Sequence, residues 1–334
     1  MHQISRGQLT WQDFALSQLG GPRTAAKLSL LDAAVPWDEI LVPVRALPEY
    51  AKYIQDPSRP GQRPIDPKVM LRALMLAKWH NLSDPQLEEQ LKDRISFRVF
   101  VGLSIGDRTP DETSFVIFRK RLREANLDKT IFDLILSHIA RAGLLVKEGT
   151  IVDATIIEQS RGHDTGKKDD SGNKISTRDP EASFTKKNDR TYHGYKLHAS
   201  TDLSGVVTGV MVSTAKDHDS NFIDELTKDE TRAVIADSAY SDRQRREDLV
   251  ARCVLPLIIF KRVRGQAKLC GWQKKFNRLV SRVRAIGEHP FGWMKRLMNF
   301  RSCRYRGLRR NAFDFVLTAA AYNVKRRVSL QSAG

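Results

Sequence analysis

Two acidic side chains stand where acids are costly, and a third stands among cations. Asp153 sits inside the apolar run TIVDATII, Asp237 closes the run AVIAD, and Glu288 lies in the arginine-rich stretch RVRAIGEHPFGWMKR. A carboxylate among apolar neighbours costs free energy unless a partner compensates it. One shared partner, a divalent cation, would serve all three. Carboxylates holding Mg2+, with Mn2+ as a substitute, support phosphoryl transfer: one cation activates a nucleophile and a second stabilises the leaving oxygen. Around Glu288 the spacing adds positive charge. Arg284 precedes it by four residues and Lys295 follows by seven, offsets of roughly 40° and 20° around a helix. The three therefore share a face that can grip phosphates, the arginine through its bidentate fork and the lysine as a point charge. Pro290 and Gly287 interrupt this stretch. Proline removes a helical hydrogen bond and kinks the helix, so the shared face is firmer for Arg284 than for Lys295.

The elements that must position these residues change character along the chain. Residues 1–148 read as an all-helical domain. IDPKVMLRALMLAKW is apolar nearly all round, as a buried helix would be. Ser83 opens the next helix with Pro85 in its first turn and Gln86 at its third position. In GDRTPDETSF, Thr109 as N-cap, Pro110 and Glu112 form a second capping pattern. Short helices before a longer basic one fit either a helix-turn-helix reader or a plain bundle with exposed basic residues. From 149 to 328 the pattern shifts to short runs rich in Val, Ile and Thr: TIVDATII, GYKLHASTD, VVTGVMVS, AVIAD and VLPLIIF. A turn at Asp202–Gly205 joins the second and third as a hairpin. Helices over SNFIDELTK and RQRREDLVAR separate the later strands, and long helices follow from about 272. This order predicts an α/β mixed sheet flanked by helices. Residues 158–190 contain Ile175, Ala182 and Phe184 as their only apolar residues, so they are expected to form a mobile loop.

Charge bounds the partner. The net charge is +17, and residues 261–334 carry 19 Lys and Arg against 2 acids, while residues 1–260 balance at 37 each. A neutral body with one basic region is the footprint of a polyanion-binding surface; a solvated face would also be basic, but Glu288 is embedded within this one. No apolar run approaches the ~20 residues of a membrane span, and the first residues, MHQISRGQLTWQDF, lack an apolar signal region. The expected location is the cytoplasm, on the nucleoid. Cys253, Cys270 and Cys303 are widely spaced and odd in number, which suits reduced structural thiols.

Other residues invite chemistry less strongly. His193, His198 and His218 lack compact zinc-ligand spacing and read as hydrogen-bonding histidines. Lys196 and His198, in YKLH, are expected on the strand beside Asp153, supporting the site. Trp272, Trp293 and Tyr305 could stack on exposed bases, although core packing is the commoner fate of such rings.

Taken in order, these segments resemble a bacterial insertion-sequence transposase of the DDE type. IVDATII resembles the family's first-aspartate strand, VIADSAYSD its second-aspartate segment, and RVRAIGEHPFGWMKR its glutamate helix, with Arg284, Glu288 and Lys295 at the motif's arginine, glutamate and lysine and Ser281 where the motif has tyrosine. RTPDETSFVIFRKRL, DPEASFTKK and YHGYKLH also resemble family text. The resemblance implies a ribonuclease H-like catalytic domain preceded by a helical domain, metal-dependent DNA cleavage, and joining of the released 3′-hydroxyl to target DNA. It implies Asp153, Asp237 and Glu288 as catalytic metal ligands, Arg284 and Lys295 on DNA, and a homo-oligomer, a dimer on DNA, holding both transposon ends. The alternatives are a nuclease of the same fold that does not join, and a catalytically inactive DNA-binding protein derived from a transposase.

Overall fold

The computed structural model describes residues 23–332 apart from 57, 62, 169–173, 188 and 263–267. The segment MHQISRGQLTWQDF lies outside the described residues. The chain divides into two units, one of the described residues through His138 together with those from Arg327, the other Ile139–Arg326.

The first unit is helical. Its elements are α1 (Arg23–Ala33), α2 (Trp37–Arg45), α3 (Pro48–Gln55), α4 (Pro67–His80), α5 (Asp84–Asp93), α6 (Ile95–Val101), α7 (Glu112–Glu124) and the start of α8 (Leu127–Arg141). Helix α4 is buried along most of its length, as its apolar circumference predicts. Ser83 and Gln86 form the reciprocal capping box that opens α5. The expected cap at Thr109 does not form. Asp111 caps α7 instead, its carboxylate accepting from the Ser114 N–H at 2.7 Å. Thr109 is engaged elsewhere: its hydroxyl accepts from the buried guanidinium of Arg98 at 2.7 Å, and the same guanidinium donates to the carbonyls of Ser104 and Asp107. A buried arginine that must satisfy its donors thus sets this turn.

The second unit is built on one mixed sheet. Its strands are β1 (Thr150–Glu158), β4 (Ser183–Lys187), β5 (Arg190–Thr201), β6 (Val207–Thr214), β7 (Ala233–Ala236) and β8 (Leu255–Ile258), with β2 (Asp164–Lys168) and β3 (Lys174–Ser176) paired separately. The path runs β4-β5-β1-β7-β8, with β6 also on β5. β5 and β6 are antiparallel to their neighbours, whereas β1, β7 and β8 run parallel. Three antiparallel strands followed by two parallel ones, with β1 central, is the ribonuclease H-like arrangement. Helices cover both faces. Ile223 of α9 (Ile223–Leu226) and Leu249 of α10 (Arg243–Ala251) pack with Val152, Val234 and Ala236 on one side. Val280 of α11 (Gly271–Leu297) packs with Ile151 and Ile235 on the other. Helix α12 (Leu308–Gln331) brings Asn323 to the β5–β6 hairpin, where its amide bonds both backbone groups of Val207.

The segment 158–190, expected as a loop, carries strands. Its end, β4, pairs with β5 from Ser183↔Gly194 to Lys187↔Arg190. The count of apolar residues misses this because backbone pairing requires none. Order comes instead from the buried carboxylate of Asp179, which accepts from the Tyr195 hydroxyl, the Gln159 amide and the Gly307 N–H at 2.8–3.0 Å. Burial alone would raise this acid; the bonds it accepts hold it below its ordinary value.

Candidate functional site

Sheet register places the first two acids together. Val152 pairs with Ala236 in the parallel ladder of β1 and β7. Asp153 and Asp237 are each the next residue along, so they stand side by side where that ladder ends. Asp237 also turns the chain: its carboxylate accepts from the Ala239 N–H at 2.7 Å, capping the 3-10 turn Ser238–Tyr240.

Helix α11 brings the third acid. Its buried residues Val280, Gly287, Pro290, Phe291 and Met294 form the stripe that faces the sheet, and the helix runs on through Pro290 to Leu297. Gly287 makes the approach possible. A β-carbon there would stand 2.4 Å from Cγ2 of Ile151, well inside contact distance, so only glycine admits this packing. Arg284 and Glu288 flank the contact.

Arg284 is the hub of the site. Its guanidinium lies 2.5 Å from Glu288, 3.8 Å from Asp153 and 3.9 Å from Asp237. Three carboxylates from three elements therefore converge on one cation. Their exposure is graded: the side chains of Asp153, Asp237 and Glu288 are 18%, 36% and 55% exposed. Burial pushes the Asp153 carboxyl up to about 6; the Arg284 charge opposes that rise, while Asp237 and Glu288 add to it. Oxygen donors of this type suit a hard divalent cation. Among the described residues, no group of three or more His, Cys, Asp or Glu side chains is gathered tightly enough to hold a metal by itself. The guanidinium fills the space between the acids.

Lys295 lies beyond this cluster. It lines a cavity of about 340 Å³ with Thr155, Glu158, Lys187, Arg190, Tyr192 and Arg301. Motif reading singled out Lys295 and missed Lys187, Arg190 and Arg301, whose meeting depends on long-range pairing. Lys196 and His198 do lie on the strand beside Asp153, at positions that alternate with its own, and Lys196 lines a second cavity together with Thr155 and Asp237. His198 is opposite Ala154 and Lys196 opposite Ile156, whereas Asp153 is opposite Ala199. Because directly paired side chains share a face and neighbours alternate, both point away from Asp153. Lys196 donates to Asp219 and to the Asp217 carbonyl. His198 bonds Ser213, and burial pushes it down to about 4. His193 bonds the Ser160 carbonyl and His218 bonds Ser220. Trp293 packs edge-on against Tyr322, while Trp272 is exposed beside Phe260.

Comparison with known families decides the identity of this arrangement. Residues 145–324 match the family described as "Transposase DDE domain". The chain belongs to the DDE transposases. Residues 21–121 of this transposase match a second family, "Transposase domain (DUF772)". Among solved structures, a chain from the cryo-EM structure of the piggyBac transposase synaptic complex with hairpin DNA aligns at 10% identity and a TM-score of 0.48, covering 90% of this chain and 74% of that one. That likeness is too distant to bear on function. No helix among the described residues is long and apolar enough to cross a membrane.

Proposed function

We propose that the transposase cuts DNA at transposon ends and joins the released end to target DNA. The observation that supports this most is the convergence of Asp153, Asp237 and Glu288 on one guanidinium at the edge of the sheet. The donor set fits a divalent cation in type, Mg2+ foremost, with Mn2+ able to substitute. Asp153, Asp237 and Glu288 would together hold the cation. Bound there, the metal would neutralise charge on the phosphodiester and lower the pKa of an attacking water. Arg284 would exchange its carboxylate contacts for phosphate oxygens, its planar fork matching two of them. Lys295 would hold a second phosphate as a point charge.

In the first step, water attacks the phosphorus at the transposon end. The bond to the 3′-oxygen breaks, leaving a 3′-hydroxyl on the transposon and a 5′-phosphate on the flank. In the second, that hydroxyl attacks a target phosphodiester, forming a new bond and releasing a target 3′-hydroxyl. Because two ends must be held together, the working form would be a homo-oligomer, most simply a dimer on DNA.

The test is a joining assay. A labelled duplex carrying the sequence that flanks the gene is mixed with protein, plasmid target and Mg2+ or EDTA. Metal-dependent transfer of label into plasmid is expected. Cutting without transfer would reduce the protein to a nuclease, and binding without cutting in either Mg2+ or Mn2+ would make it a DNA-binding factor.

A further inference from the structure

Beside the carboxylates lies a concentration of positive charge of which the cutting reaction, as proposed, uses only Lys295. The cavity around Lys295 is bounded by Lys187 from the end of β4, Arg190 from the start of β5 and Arg301 from the segment after α11. Two backbone hydrogen bonds, which together make a parallel β-bridge between Glu158 and Ser302, hold this segment in place. The Glu158 N–H donates to the Arg301 carbonyl at 2.9 Å, and the Cys303 N–H donates to the Glu158 carbonyl at 2.8 Å. The edge of β1 is thereby extended and Arg301 is fixed beside it. The one acid lining the cavity, Glu158, is already paired with Arg190. Lys187, Lys295 and Arg301 are left facing one another. Burial and the charges of Lys187 and Arg301 push the Lys295 ammonium below its ordinary value. Cations gathered this way repel unless an anion lies among them.

Position and composition indicate which anion. Thr155 lines the cavity, and it is two residues beyond Asp153 on the same face of β1, one pleat repeat or roughly 7 Å away. Tyr192 is half-buried on the wall, with the Arg190 guanidinium 4.9 Å from its ring centroid. Cations interleaved with an aromatic ring are the components of a single-strand platform rather than of a duplex groove.

We propose that this cavity, lined by Thr155, Lys187, Arg190, Tyr192, Lys295 and Arg301, holds a single DNA strand running away from the carboxylates, its phosphates on the cations and one base against Tyr192. The proposal rests on the reading of the carboxylates as a DNA-cutting centre, which supplies the strand.

The experiment measures binding without chemistry. Full-length protein in EDTA is titrated by fluorescence anisotropy onto a labelled duplex with a single-stranded extension, over a range of salt concentrations. Lys187 and Arg301 are exposed, so the Lys187→Ala/Arg301→Ala variant should keep its fold, which circular dichroism checks. Its affinity should fall about tenfold, and the slope of log K against log salt should shrink by about 1.4, the value for two lost single-strand phosphate contacts. A control pair, Lys228→Ala/Arg243→Ala, removes equal charge from exposed positions elsewhere and should change neither. Tyr192→Ala should weaken binding to the extended duplex about tenfold while leaving a blunt duplex unaffected. Equal affinity and slope in the groove variant and wild type, or equal losses in both pairs, would overturn the proposal. Groove-dependent binding without cutting in Mg2+ would sink the cutting reading and leave the groove. Normal cutting with groove-independent binding would do the reverse.

Discussion

At the scale of single residues, Asp153 is the decisive one. Its apolar neighbours marked it in the sequence, since an acid inside TIVDATII needs a reason to be there. Sequence could not show what answers that need, because the Arg284 guanidinium reaches it only after a helix more than a hundred residues later packs on β1. Burial leaves the carboxyl at about 6 in spite of that cation. An acid whose folded pKa exceeds its unfolded value near 3.8 makes the folded state bind the extra proton. Stability is therefore fully present below pH 4 and is lost as pH rises through 6. A rise from 3.8 to about 6 is worth about 3 kcal/mol. Asp153→Asn removes this dependence. In EDTA, the variant should be more stable than wild type at pH 7.5 by up to about 3 kcal/mol, with the difference fading by pH 4. Urea midpoints at both pH values measure it, and a variant less stable at pH 7.5 would contradict the electrostatic origin of the effect.

At the scale of elements, periodicity revealed the central strands and the long helices, because Val- and Ile-rich runs and apolar stripes report burial directly. It failed where order comes from polar contacts. β4 was hidden because SFTKK has one apolar residue, and Asp179 organises its surroundings through hydrogen bonds that no local pattern announces. The cap of α7 moved from Thr109 to Asp111 because Arg98 claims the threonine hydroxyl. Gly287 looked like a weak point in a helix; it is the point of closest approach to the sheet. Helix α11 offers its own control in Gly292, where an added β-carbon meets nothing within 4 Å. Gly292→Ala should stabilise the protein by up to about 1 kcal/mol through helix propensity. Gly287→Ala carries the same propensity gain but collides with the stiff, β-branched Ile151, and should destabilise by about 1–3 kcal/mol. Denaturant unfolding of the two variants compares them, and similar effects at both positions would mean that α11 does not bear on β1 through Gly287.

At the scale of the whole molecule, the chain concentrates its positive charge in the region that carries the candidate site. The basic region 261–334 supplies α11, Arg301 and α12, and the first two of these carry Arg284, Glu288 and two of the groove's four cations, Lys295 and Arg301, with Lys187 and Arg190 coming from β4 and β5. Composition made that asymmetry visible, but only the packed structure shows that Arg284 faces the acids while Lys295 and Arg301 line the groove. Asp153, Asp237 and Glu288 would act as one device, and devices of that kind lose function as a unit. The most direct test is the rate of Mg2+-dependent cleavage of an end duplex by Asp153→Asn, Asp237→Asn and Glu288→Gln, singly and in pairs, with folding verified for each. Each single variant should fall by roughly a thousandfold or more, and the pairs should fall no further than the singles. A single variant that cleaves at close to the wild-type rate would contradict the claim that these three carboxylates form the active centre.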